Sequence, residues 1–123
     1  MHLDSYCCIM CVSNEEEDTQ HLFFNCTFVD ACWTYLNIQW DTSLDFQTML
    51  LRARERFGSV IFREVMIHAM WSIWTLRNSI IFYYGSLSFD WWHRSFTDGL
   101  KALTLRVKPN VKDAILHYMS SLL

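Results

Sequence analysis

The sequence predicts an all-α protein, and three observations carry that expectation. Hydrophobic residues make up 52% of the 123-residue chain and aromatics 16%, so it must bury a core rather than remain disordered. Three glycines (Gly58, Gly85, Gly99) and one proline (Pro109) are too few to supply the tight turns of a many-stranded sandwich or barrel. Apolar residues, finally, recur at three- and four-residue steps through most of the chain, the period of a helix face. The expected architecture is an irregular bundle of about five helices in one domain, since a chain this short seldom splits.

Each helix has its own signals. Thr19 is positioned as an N-cap for a first helical region in which Leu22, Phe23, Phe28, Val29, Cys32, Trp33 and Leu36 share the helical step, ending near Asn37. Ser43 is placed to cap a second, with Phe46, Met49, Leu50, Ala53 and Phe57 on one face and Gly58 as the stop. Ser59 opens a long third helix toward Tyr84. It carries Val65, Met66, Ala69, Met70, Ile73, Trp74, Ile80 and Ile81, apolar almost all round, so it must be central or covered by another chain. Gly85 ends it, and Ser88 or Asp90 starts a fourth helix with Trp91, Trp92, Phe96, Leu100, Leu103 and Val107, running up to Pro109 and weakened at Gly99. Asn110 is expected to cap a fifth, with Asp113 in the capping-box position and Val111, Ile115, Tyr118 and Met119 buried.

Charge is unevenly spread. From Met1 to Leu51 there are eight acidic residues and no Lys or Arg; from Arg52 onward there are ten basic residues against five acidic, which together give the net −3. The first part is unsuited to gripping a polyanion, so any nucleic-acid role belongs to the second. Arg94, Lys101 and Lys108 recur every seven residues and are expected to share a helix face, with Arg106 and Lys112 nearby. A solvated face is the commoner meaning of such a stripe, and the acidic N-terminal loop is an alternative partner for it.

All five cysteines (Cys7, Cys8, Cys11, Cys26, Cys32) lie in the first 32 residues rather than being distributed as staples, and the start of the chain has neither a basic n-region nor an apolar h-region. An intracellular setting, cytoplasmic or nuclear, is the expectation. Residues 65–89 hold Arg77 as their only formal charge. That central Arg costs about 2.5–3.5 kcal/mol in a bilayer, and with His68 and Asn78 beside it no membrane span is expected.

One constellation carries chemistry. Cys8-Ile-Met-Cys11, nine residues, His21, four residues and Cys26 supply three thiolates and an imidazole, the tetrahedral set of a closed structural Zn2+ site. His21 and Cys26 are five apart, about 140° of rotation on a regular helix, so the chain must turn between them or the helix must begin close to Cys26. Four protein ligands leave no open position for Lewis-acid catalysis. The alternative is that these are small buried side chains near a core histidine. Cys7 can replace Cys8 in some geometries, and Cys32, on the apolar face, reads as core.

Cys8-x2-Cys11, the acidic stretch Glu15 to Asp18, His21-Leu-Phe-Phe-Asn-Cys26 and the following Trp33 resemble the zinc-binding region that follows the reverse-transcriptase core in plant non-LTR retrotransposon polyproteins and their host-genome derivatives. Trp71-Ser-Ile-Trp74-Thr-Leu-Arg77-Asn78 with Ile81-Phe82 resembles the segment that accompanies that knuckle, so the likeness runs from Cys8 to Phe82. The resemblance implies Cys8, Cys11, His21 and Cys26 as zinc ligands and nothing catalytic. Only seven residues precede the first cysteine pair, and neither a Tyr-x-Asp-Asp polymerase signature nor an endonuclease or RNase H carboxylate set occurs, so a fragment or domesticated derivative is expected. The domain then divides into knuckle and first helix over 1–38 and helical body over 39–123.

Other groupings are weaker. Glu64 and His68 form an i, i+4 pair that reads as a helix-face contact rather than an acid–base site, and zinc accounts for Cys11 and His21 better than a nucleophile–base pair does. Without a phosphate-binding Gly-rich loop or a Gly-x-Ser-x-Gly elbow, no enzyme is expected. Arg77, if buried, needs a carboxylate such as Asp90 or Asp98. Trp71, Trp74, Trp91 and Trp92 read as core or as partner-binding anchors before they read as base-stacking platforms. The expected function is therefore a non-catalytic interaction module that binds a copy of itself, as a homo-oligomer, or a host protein, as a regulator or toxin–antidote component. RNA or DNA binding through Arg94, Lys101, Arg106, Lys108 and Lys112 is the alternative.

Overall fold

The computed structural model describes residues 21–83 and 87–122. It is all-helical: a single wide π-type turn at His21–Asn25 precedes α1 (Thr27–Tyr35), α2 (Phe46–Phe57), α3 (Phe62–Tyr83), α4 (Phe89–Leu103) and α5 (Pro109–Ser121). No strand occurs among the described residues.

The first helical region is not continuous. Cys26 is extended (φ −66°, ψ 134°) and separates the wide turn from α1, which then buries Val29, Cys32 and Trp33. The Trp33 indole N–H reaches back 2.7 Å to the Phe23 carbonyl and fastens the turn to the helix it precedes. Asn37, past the end of α1, takes a left-handed φ of 62°, which Asn tolerates better than most residues.

The α2 cap lies two residues beyond the expected one. Asp45 accepts from the Thr48 backbone N–H (3.2 Å) and hydroxyl (2.6 Å), whereas Ser43 is itself held by Asp41, whose Oδ1 accepts from the Ser43 N–H at 3.1 Å and hydroxyl at 2.5 Å. A carboxylate that takes both donors of the residue it caps outcompetes the hydroxyl. Gly58 ends α2 as expected, at φ 71° with its N–H on the Arg54 carbonyl.

Ser88 caps α4 by accepting the Trp91 N–H at 3.1 Å, and Trp92, Phe96 and Leu100 turn inward at four-residue steps. The helix stops at Leu103, well before Pro109. Thr104 is buried at its end, with its hydroxyl on the Lys101 carbonyl at 2.6 Å. The N-cap of α5 is Lys108 rather than Asn110. Proline holds the preceding residue extended (φ −63°, ψ 153°) and is itself preset for the first helical position, which displaces Asn110 into the first turn and removes Asp113 from the capping-box role.

The core gathers Trp33 and Leu36 from the end of α1, Ala53 of α2, Val65, Ala69, Ile73 and Leu76 of α3, Trp92, Phe96 and Leu100 of α4 and Ile115 of α5. α3 and α4 pack most intimately. The Trp92 N–H donates to the Ala69 carbonyl (3.3 Å), the Ser72 and Ser95 hydroxyls meet at 3.0 Å, and Gly99 lies against the His68 ring. α5 closes onto α1: Tyr118 donates to the Leu36 carbonyl at 2.8 Å, and burial, with Tyr35 nearby, raises the Tyr118 hydroxyl well above the usual tyrosine value, so it stays a donor.

Candidate interaction surface

α3 packs one face into the core, where Val65, Ala69, Ile73 and Leu76 are fully buried. Its opposite face is also apolar but bare: Ile67 is 47% exposed, Trp71 64%, Trp74 40% and Phe82 60%, with Val60 exposed in the preceding turn. Steps of four and three from Ile67 to Trp71 to Trp74 put the three side chains on one stripe about 10 Å long, since seven residues at the helical rise span that distance. The Arg77 guanidinium lies 5.1 Å from the Trp74 ring centroid, within cation–π range, and donates to the Asn78 side chain at 3.1 Å.

Trp71, Trp74 and Trp91 (38% exposed) are therefore accessible, but Trp92 is not. It is fully buried, stacked on Phe96 with ring centroids 5.4 Å apart, and its N–H is spent on α3. The expectation that Trp92 contacts a partner is corrected. One residue of helix is about 100° of rotation, enough to put Trp91 outside and Trp92 in the core. Ile67 and Phe82 belong to the bare face although neither was among the expected partner-binding anchors; their signal was the spacing to Trp71 and Trp74.

Beside this stripe, α2 and α3 frame a groove of about 590 Å³. Leu50, Val60, Met66 and Ile67 line it, with Arg54 and Arg63, both exposed, among the lining residues. Glu64 lies in the same groove, and its Oε2 is buried with no hydrogen-bond partner. On the other side of Glu64, His68 is held below its ordinary value by burial, while the Glu64 charge works weakly in the opposite direction.

The basic residues Arg94, Lys101, Arg106, Lys108 and Lys112 are all exposed, but they do not form one helix face. Only Arg94 and Lys101 lie on α4. Because that helix ends at Leu103, Arg106 and Lys108 fall in the connection and Lys112 on α5, and exposed Asp98 and Asp113 stand among them.

Of the four zinc-ligand candidates, Cys8 and Cys11 lie outside the described residues, as do the alternative Cys7 and the His21 side chain. Cys26 is described, fully buried at the N-cap of α1, and α1 begins directly after it. That is one of the two arrangements the His21–Cys26 spacing requires. No group of three potential ligands is found among the described residues alone. Cys32 sits in the core, and burial together with the neighbouring Cys26 pushes its thiol far up, which suits a neutral packed side chain. No described helix is long and apolar enough to cross a membrane, α3 included.

No protein-family model, no curated protein and no solved structure matches the chain.

Proposed function

We propose that this chain is a non-catalytic helical interaction module, derived from the zinc-binding region of a plant retrotransposon polyprotein, that works by binding protein through the outer face of α3. The observation that carries the reading is the row Ile67, Trp71, Trp74 and Phe82, all at least 40% exposed on a helix whose other face is core. An exposed apolar row with two tryptophans has a standing cost in water, and Trp is among the residues most enriched at binding hot spots. The occupant is a second copy or a host protein, in a regulatory or toxin–antidote setting by analogy with domesticated elements. A knuckle of Cys8, Cys11, His21 and Cys26 around one Zn2+ would fix the N-terminal segment, which is too polar to fold by burial, and contribute about 10 kcal/mol or more to its folding.

Sedimentation of the purified chain, with and without Trp71→Ser, tests the reading together with recovery of bound protein from cells of origin. A well-folded monomer that retains no protein would overturn it. Exposure of Arg94, Lys101, Arg106, Lys108 and Lys112 keeps a second reading, RNA or DNA binding. It predicts binding to a labelled single-stranded oligonucleotide at low salt that falls steeply as salt rises.

A further inference from the structure

We infer that the partner of this face is an amphipathic helix with a negatively charged flank, seated along α3 with that flank over Arg54 and Arg63. The inference rests on the proposed protein-binding role and names the chemistry of its partner. Three features lead to it. The bare residues follow the three- and four-residue helical step, so they form a ridge with flanking grooves of the kind into which the side-chain rows of another helix fit. The groove beside that ridge has apolar walls in Leu50, Val60, Met66 and Ile67, where a partner's apolar row can go. Its charge is lopsided, because two exposed guanidiniums, Arg54 and Arg63, stand against the single carboxylate of Glu64.

Each of these guanidiniums is planar and suited to bidentate carboxylate recognition, which selects among partners more than it adds affinity.

The test uses the full chain and two labelled synthetic peptides of about 18 residues, five helical turns, with the same leucine row and either glutamate or lysine flanks. Fluorescence anisotropy at physiological salt should show the glutamate peptide binding at least about tenfold more tightly, with the gap narrowing as salt screens it. Arg54→Glu with Arg63→Glu, both at exposed positions, should reverse the preference, whereas Trp71→Ala should weaken both peptides. Circular dichroism checks that each variant keeps its helices. Equal binding of the two peptides, or a preference for lysine, overturns the inference. If neither binds but the chain sediments as a dimer that Trp71→Ser dissociates, the inference fails while the protein-binding role stands; if neither binds and the chain is a monomer that retains no protein, both fail.

Discussion

Gly99 in α4 lies directly against the ring of His68 in α3, so closely that a Cβ on residue 99 would come within 2.7 Å of His68 Nδ1. The near approach of the two helices is what the missing side chain permits. Gly99→Ala should therefore destabilise the protein even though alanine is the better helix former. The overlap costs about 1–3 kcal/mol, against about 1 kcal/mol gained in helix propensity. Urea unfolding checks the sign. In a His68→Ala background the obstacle is gone, and the same Gly99→Ala change should become neutral or stabilising; a loss of equal size in both backgrounds would disprove the packing account.

The same ring makes stability depend on pH in a defined direction. Burial lowers the His68 value below its ordinary 6.5, and Glu64 only partly offsets this. Below 6.5 the unfolded chain takes up the proton before the folded one does, so the contribution is complete above that pH and is lost as pH falls toward the folded-state value. Thermal melts should show Tm falling below about pH 6.5 in the wild type, and less so in His68→Gln. An unchanged pH profile in His68→Gln would locate the titration elsewhere.

How much of this was legible beforehand depended on whether a residue's role is local. Gly58 and Ser88 act within one turn of the chain, and both stand where their chemistry placed them. The all-round apolarity of α3 read as a helix that is central or covered by another chain, and the structure has one of its faces in the core and the other exposed. What escaped was set by competition or by tertiary contact. Asp45 took the cap from Ser43 because a carboxylate two residues on binds Thr48 twice. Pro109 took the start of α5 from Asn110, and Trp92 went inside because Phe96 and Leu100 follow at its spacing. Gly99 read as a weak point in a helix, and only the position of His68 reveals it as a packing requirement. On the candidate surface the tryptophans were visible in the sequence, but the groove with Arg54 and Arg63 joins two helices and has no linear signature.

Metal dependence is the most direct test of the N-terminal segment. The purified chain should carry one zinc ion, and Cys8→Ser or Cys11→Ser should lose it. A strong chelator should lower Tm, because the ion's binding free energy is part of the folding free energy. Cys26→Ser is a poorer probe, since that side chain is also fully buried at the start of α1 and its replacement disturbs packing as well as ligation. Metal-free protein with an unchanged melt in chelator would remove zinc from the account.

Trp92 on α4 and Trp71 on α3 separate folding from binding. Trp92 is fully buried, stacked on Phe96 and hydrogen-bonded to α3, so Trp92→Ala should cost about 3–5 kcal/mol and unfold a marginal domain outright. Trp71 is 64% exposed and packs against little of its own chain, so Trp71→Ser should move stability by no more than about 0.5 kcal/mol. Its effect should instead fall on association, because an exposed aromatic anchor is where hot-spot energy concentrates, at about 2 kcal/mol or more per residue. Chemical denaturation and sedimentation measured on the same two variants give opposite orders of severity if α3 has one face for folding and one for binding. Equal stability losses in both variants would instead mean that Trp71 is a packing residue and that the outer face of α3 has no separate role.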